Sequence, residues 1–202
     1  MSEKFKNKYR IASARAPFWD YGSNAAYFVT ICTQNRVRYF GAVDGGEMVL
    51  SEIGQMAWDC WAEIPTHFPF VKLDEFVVMP NHVHGIIIID KPGTDRDPDT
   101  VETQYFASLH DPVPDDPAPV PVPDDPVPDD IPKNRFGPQS QNLASIVRGF
   151  KIGVTKTARR IAPGFAWQPR FHDRIILDDR AFQNIARYIR DNPQNWDKDT
   201  FY

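Results

Sequence analysis

A proline- and aspartate-rich segment, residues 91–137, sets the strongest limit on how this chain can fold. It contains the run PVPDDPAPVPVPDDPVPDDIP. Proline cannot continue a helix interior and has no N–H to give to a sheet ladder, so this segment can neither propagate a helix nor extend a sheet. We predict that residues 91–137 form a disordered or polyproline-like insertion in one domain spanning residues 1–202. The fold must therefore be built from the residues on either side of it.

The same segment dominates the charge of the chain. The whole chain carries a formal charge of −4, whereas residues 91–137 hold eleven acids and four bases and so carry −7, which leaves +3 on the remainder. A mildly basic body is compatible with a nucleic-acid partner, although a charge of +3 is weak evidence by itself.

Composition limits the class of protein. The apolar content of 42% is enough for one ordinary core. Cys32 and Cys60 are too few for a disulfide framework and form no C-x-x-C pair. The first residues are charged, and no stretch approaches the roughly 18 apolar residues of a membrane span. We therefore expect a cytoplasmic protein with no membrane partner.

The flanking segments predict seven elements in the order β, α, β, β, α, β, α. Strands are indicated at 26–34, 73–79, 82–90 and 170–177, and helices at 51–64, 143–161 and 180–191. Pro80 and Asn81 form the turn of a hairpin between the second and third strands. This order predicts an α+β fold of the ferredoxin-like type, with a four-stranded antiparallel sheet, helices on one face and an additional C-terminal helix.

The helix predicted at 143–161 has a basic face opposite its apolar stripe. One interpretation is an ordinary solvated helix face, and the other is a groove wall that follows a phosphate backbone. The basic residues on this face are Arg148, Lys151, Lys156, Arg159 and Arg160.

The sharpest local pattern is the sequence Pro-Asn-His-Val-His at 80–84. Alternate residues of a strand point to the same face, so His82 and His84 would lie about 7 Å apart on one side of the sheet. Two imidazoles in that arrangement can converge on one divalent cation. Because the motif is short and common, two structural histidines are the alternative interpretation.

The last predicted helix carries a polar pair at the edge of its apolar stripe. Tyr188 and Asn192 are four residues apart and so lie on the same helix face. Each alone would be an ordinary boundary residue. His172, on the predicted strand before this helix, is either part of a site or an exposed or structural histidine.

Three segments taken together resemble a known family. They are AYFVTICTQNR, FVVMPNHVHGIIII, and WQPRFHDRII followed by FQNIARYIRDNP. They resemble the REP-associated tyrosine transposases of the single-tyrosine HUH transposase family. The resemblance runs from about Arg15 to Trp196, interrupted by the insertion, and the motifs occur in the same order.

The resemblance implies a site and a reaction. His82 and His84 would bind a divalent metal, Mg²⁺ or Mn²⁺, and Asn192 would complete the metal site. Tyr188 would be the nucleophile that cuts single-stranded DNA near a hairpin through a 5′-phosphotyrosine intermediate. The implied function is that of a DNA transposase. The candidate phosphate contacts are Arg148, Lys151, Arg159 and Arg160.

Several alternatives remain open at this stage. A protein that binds DNA hairpins without cleaving them would keep the same fold. An RNA-recognition module should show an aromatic-rich RNP1-like strand, and none is found. A hydrolytic metalloenzyme would not need the tyrosine. The acidic insertion could be a spacer, an autoinhibitory DNA mimic or without a role, and the sequence is compatible with a monomer or a homodimer.

Overall fold

The computed structural model describes residues 19–92, 140–199 and 201. The strands are β1 (Ala25–Cys32), β2 (Gly41–Asp44), β3 (Glu47–Leu50), β4 (Val71–Met79), β5 (His82–Ile89) and β6 (His172–Ile176). The helices are α1 (Glu52–Ala62), α2 (Ile64–His67), α3 (Leu143–Ile161) and α4 (Asp179–Asp191), with 3₁₀ turns at Gln34–Arg36 and Pro193–Lys198. The predicted insertion lies, from residue 93 onward, outside the described residues.

The main sheet has four strands in the order β4-β5-β1-β6. Each neighbouring pair is antiparallel. This is the predicted α+β arrangement of a four-stranded antiparallel sheet with helices, which is confirmed. The small hairpin of β2 and β3 and the short helix α2 were not predicted. Gly45 and Gly46, both at positive φ, form the hairpin turn, so this turn had a sequence signal.

One face of the sheet is covered by α1 and α3. Ser51 begins α1 by accepting a hydrogen bond from the Gly54 N–H, and Asn142 and Ser145 form a capping box at the start of α3. A Cβ added at Gly85 of β5 would lie 2.3 Å from the Trp61 ring, so α1 can approach β5 only because residue 85 is glycine. The strand residues buried on this face include Tyr27, Val29, Ile31, Val83, Ile87 and Ile89.

The opposite face of the sheet is covered in part by α4. The Asp178 carboxylate caps this helix by accepting a hydrogen bond from the Ala181 N–H. A second apolar cluster forms where Ala186 and Ile189 of α4 pack with Ile86 and other strand residues. The C-terminal helix therefore lies on the face to which His82 and His84 point.

Among the described helices, none combines the length and apolarity that crossing a bilayer requires.

Candidate functional site

The two histidines lie together at the start of β5. His82 and His84 are 0% and 1% exposed, and their ring centroids are 4.3 Å apart. In the sheet register His82 is opposite Cys32 and His84 is opposite Thr30. The alternation of the strand thus brings both rings to the α4 face, as the sequence predicts.

Each histidine ring is held through its Nδ1 atom. The Nδ1 of His84 is 2.8 Å from the Thr30 hydroxyl, and the Nδ1 of His82 donates to the Asn81 side-chain oxygen at 2.8 Å. The Asn81 amide is itself fixed, because its nitrogen donates to the Phe201 carbonyl at 2.7 Å. A partner on Nδ1 orients a metal-binding histidine and turns its Nε2 atom toward a ligand.

A third metal-ligating side chain comes from the end of the chain. The Asp199 Oδ2 atom lies 3.9 Å from His82 Nε2, and the Asp199 side chain is 2% exposed. Ligand atoms of His82, His84 and Asp199 all lie within 4.8 Å of one another. The carboxylate is held by the Asn192 amide, which donates to Oδ2 at 2.9 Å, and by the Phe201 N–H, which donates to Oδ1 at 2.7 Å.

Asn192, the third ligand that the resemblance implies, lies next to Asp199. It is 3% exposed, and its amide nitrogen faces Asp199. The Asn192 Oδ1 atom is buried and has no hydrogen-bond partner in the described structure, so Asn192 as a metal ligand stays a prediction. Sequence reasoning missed Asp199, because the 3₁₀ turn between α4 and this residue gives no spacing from which a ligand could be predicted.

The donor set fits a divalent cation. Buried side-chain atoms without a hydrogen-bond partner in the described structure include His82 Nε2 and Asn192 Oδ1. An unsatisfied buried polar atom costs about 1–3 kcal/mol, and a bound cation would offset that cost at His82. Two imidazole nitrogens and one carboxylate form a mixed nitrogen and oxygen set that divalent metals accept. The group formed by His82, His84 and Asp199 could therefore bind a metal ion.

Burial keeps both histidines neutral. Desolvation lowers the pKa of His84 to about 3. The pKa of His82 is held well below its ordinary value by burial first, and then by the neighbouring His84 and Arg36. Neutral imidazoles at pH 7 can bind a metal without first losing a proton.

The hydroxyl of Tyr188 lies at the border of this buried cluster. It is 3.3 Å from His84 Nε2, and the Tyr188 ring lies 5.3 Å from the His84 ring. The Tyr188 ring also meets Phe28 edge-on at 6.1 Å, and Phe28 stacks on His84 at 5.3 Å; 39% of Tyr188 is exposed. Tyr188 is therefore a partly exposed residue whose hydroxyl lies next to a group that could bind a metal.

The predicted DNA-binding residues lie on α3, on the other side of the sheet. Arg148 and Lys151 line an open groove of about 460 Å³ that also includes Lys156 and Arg170. Burial lowers the pKa of Lys151 to about 8, and its amine donates to the carbonyls of Gln168 and Arg170.

The remaining two predicted contacts lie near the end of α3. Arg159 donates from Nε to the Phe165 carbonyl at 3.1 Å, and Arg160 is exposed. The structure thus brings together His82, His84, Tyr188 and Asn192, but it does not bring the four basic residues to them. Lys151 and Arg159 hold the loop that follows α3, whereas Arg148 and Arg160 remain exposed on the helix.

Comparisons with known proteins give one close relative in sequence. No family model matches the chain. A Haemophilus influenzae protein described as uncharacterized is 34% identical over 191 residues, which cover 94% of this chain and 92% of that protein. An identity at this level over nearly the whole of both chains places them in one family.

Two solved structures are similar to this chain at low identity. A REP-associated tyrosine transposase bound to a REP hairpin is 17% identical with a TM-score of 0.48, and the match covers 96% of this chain and 73% of that one. A candidate transposase of Deinococcus radiodurans is 14% identical with a TM-score of 0.39, with 83% and 90% covered. At these values neither structure determines what the site does.

Proposed function

We propose that this chain, which belongs to the same family as the Haemophilus influenzae protein, is a metal-dependent DNA strand-transfer enzyme of the single-tyrosine transposase type. One observation carries the proposal: the Tyr188 hydroxyl lies 3.3 Å from His84 Nε2, at the edge of a cluster that also contains His82 and Asp199. A hydroxyl nucleophile next to a metal-ligating group is the arrangement that phosphoryl transfer requires. The sequence resemblance to tyrosine transposases supports the same chemistry.

In the proposed reaction, the Tyr188 oxygen attacks the phosphorus of a phosphodiester in single-stranded DNA. A tyrosine O–P bond forms and the bond from phosphorus to the 3′ oxygen breaks, so the product is a 5′-phosphotyrosine and a free 3′-hydroxyl. The tyrosine gives up its proton, and the leaving oxygen takes one. Because the energy of the broken ester is kept in the new one, rejoining needs no ATP.

The residues around Tyr188 have separate tasks in this proposal. His82, His84 and Asp199 would hold the ion, with Asn192 orienting Asp199 through its amide. When bound there, Mg²⁺ or Mn²⁺ would polarise a phosphate oxygen and stabilise the negative charge that develops during attack. All of these side chains come from one chain, so the cluster needs no second copy.

The proposed substrate is single-stranded DNA next to a hairpin, and we place the reaction in the cytoplasm. Arg148 and Arg160 on α3 are exposed and could contact backbone phosphates. Lys151 and Arg159 support that surface by holding the loop that follows α3. The two cysteines of the chain are free, as in a reducing compartment.

The test is a denaturation-resistant adduct between the protein and end-labelled hairpin DNA, with single-stranded flanks taken from the protein's own gene locus. The wild type would be compared in Mn²⁺ or Mg²⁺ with Tyr188→Phe. Tyr39→Phe is the matched control, because its hydroxyl donates to the Gly164 carbonyl outside the cluster. We expect an adduct that needs metal and Tyr188 but not the Tyr39 hydroxyl.

Two other outcomes would contradict this proposal. Hairpin binding by the wild type without an adduct would indicate a DNA-binding protein that does not cleave. DNA cleavage by Tyr188→Phe at the wild-type rate would indicate a hydrolytic metalloenzyme in which water is the nucleophile.

A further inference from the structure

The α4 face of the sheet continues past the histidines to the edge strand β6. In the strand register, Thr30 is paired with His84 on one side and with His172 on the other. In the next row on this face, Phe28 lies between Ile86 and Arg174. Paired residues of antiparallel strands point to the same face, so His172 and Arg174 lie on the face that carries the histidine pair.

Helix α4 does not bury this edge of the face. Its apolar residues pack over Ile86 and Val77 toward β4 and over Ile176 at the far end of β6. His172 and Arg174, in contrast, are exposed. The uncovered strip therefore lies near Tyr188, whose ring packs on His84 and on Phe28, and Phe28 is the strand partner of Arg174.

Distances in the sheet place the strip close to the tyrosine. Adjacent strands are about 4.8 Å apart, so Arg174 is one strand from Phe28 and His172 is about 10 Å from His84. Paired and diagonal neighbours on one face are within reach of long side chains such as arginine. A molecule that contacts the Tyr188 hydroxyl from solvent can thus contact Arg174 at the same time.

Two other arginines near the site, Arg190 and Arg36, are already engaged. The Arg190 guanidinium is 3.3 Å from the Glu75 carboxylate, and Arg36 lies over the Phe201 ring at 5.1 Å. Within the residues that the structure describes, the Arg174 side chain makes no hydrogen bond or ion pair. A backbone phosphate next to the one under attack would supply the anion that an exposed guanidinium binds well.

We infer that Arg174, with His172 beside it, positions the DNA strand by holding backbone phosphates next to the one that Tyr188 attacks. This inference rests on the proposed function, and it adds a contact surface separate from the basic face of α3. Charged side chains on an edge strand can also serve only to prevent association between sheets. That alternative predicts aggregation, and not weaker DNA binding, when Arg174 is replaced.

The experiment measures binding of a fluorescein-labelled single-stranded oligonucleotide by anisotropy in EDTA at several salt concentrations. Arg174→Gln would be compared with the wild type and with Arg174→Lys. Arg180→Gln is the matched control, because Arg180 is exposed on the first turn of α4, about 12 Å along the helix from Tyr188. The rate of Tyr188 adduct formation in Mn²⁺ would be measured as a function of DNA concentration.

We expect Arg174→Gln to weaken binding about tenfold and to reduce the slope of log affinity against log salt by about 0.7, the value for one lost contact to a single strand. Arg174→Lys should keep most of the affinity. Adduct formation by Arg174→Gln should recover at high DNA concentration, which indicates a positioning role and not a folding defect.

The inference would be overturned if Arg174→Gln bound DNA with the affinity and salt slope of the wild type. It would also be overturned if Arg180→Gln lost as much affinity as Arg174→Gln. A third outcome separates the two proposals. If Arg174→Gln weakens DNA binding but the wild type forms no adduct, the strip is supported as a DNA contact and the proposed cleavage is contradicted. Oligomers of Arg174→Gln with unchanged DNA affinity would support the edge-protection alternative and overturn the inference.

Discussion

Lowering the pH from 7 to 5 should destabilise the protein through its buried histidines. Burial lowers the pKa of His84 to about 3, whereas an imidazole in the unfolded chain titrates near its ordinary value of about 6.5. Below that value the unfolded chain binds a proton that the folded chain does not bind, so the free energy of unfolding falls with pH. The loss begins near pH 6.5 and continues until the pH reaches the folded pKa.

The expected magnitude follows from this difference in pKa. At pH 5 an imidazole with an ordinary pKa has bound a proton in nearly every unfolded chain, so His84 alone should remove about 2 kcal/mol of stability. The pKa of His82 is lowered as well, so this residue adds a loss in the same direction. The assay is urea unfolding, followed by tryptophan fluorescence, at several pH values between 7.5 and 4.5 without metal.

Two variants separate this effect from the titration of the carboxylates. His84→Gln should have a lower free energy of unfolding than the wild type. Below pH 6.5 the slope of this free energy against pH should be smaller by about 1.4 kcal/mol per pH unit. His67→Asn is the matched control, because His67 is exposed at the end of α2, and it should follow the wild type. If wild type and His84→Gln lost stability in parallel between pH 6.5 and 5, the neutral buried state of His84 would be refuted.

Three further predictions concern other parts of the structure. Asp199→Asn should lower Mn²⁺ affinity at least tenfold in calorimetry, whereas the exposed control Asp197→Asn should not; equal affinities would exclude Asp199 as a ligand. Gly85→Ala should destabilise the fold by about 1–3 kcal/mol in urea unfolding, because the new methyl meets the Trp61 ring, and an unchanged midpoint would contradict this packing. Lys151→Met should speed amide exchange in residues 168–171, because its two carbonyl contacts are lost; wild-type exchange would show that they do not hold the loop.

Local patterns were sufficient to predict much of the site. The alternation along β5 places His82 and His84 on one face of the sheet. The helical spacing of α4 places Tyr188 and Asn192 on one face of the helix, and this helix packs against that face of the sheet. Both features depend only on spacings of two or four residues along the chain, so they can be predicted from the sequence. The start and end of α3 were likewise predicted from its apolar stripe.

Asp199 depends on contacts that no local pattern contains. It follows the 3₁₀ turn at Pro193–Lys198, and its position is set by hydrogen bonds from Asn192 and from the Phe201 N–H. The order of the strands is also a tertiary property, and it alone places Arg174 and His172 beside the tyrosine. The family resemblance implied Asn192 as the third ligand, and the tertiary contacts add Asp199 as a further candidate.

The contact between Tyr188 and His84 Nε2 has a thermodynamic consequence. The His84 Nε2 atom that contacts the tyrosine hydroxyl is also the atom a metal would take, because Nδ1 of His84 is paired with Thr30. Two partners that compete for one atom are negatively coupled, and the coupling is equal in both directions. Metal binding should therefore weaken the contact between Tyr188 and His84, and Tyr188→Phe should bind metal more tightly than the wild type.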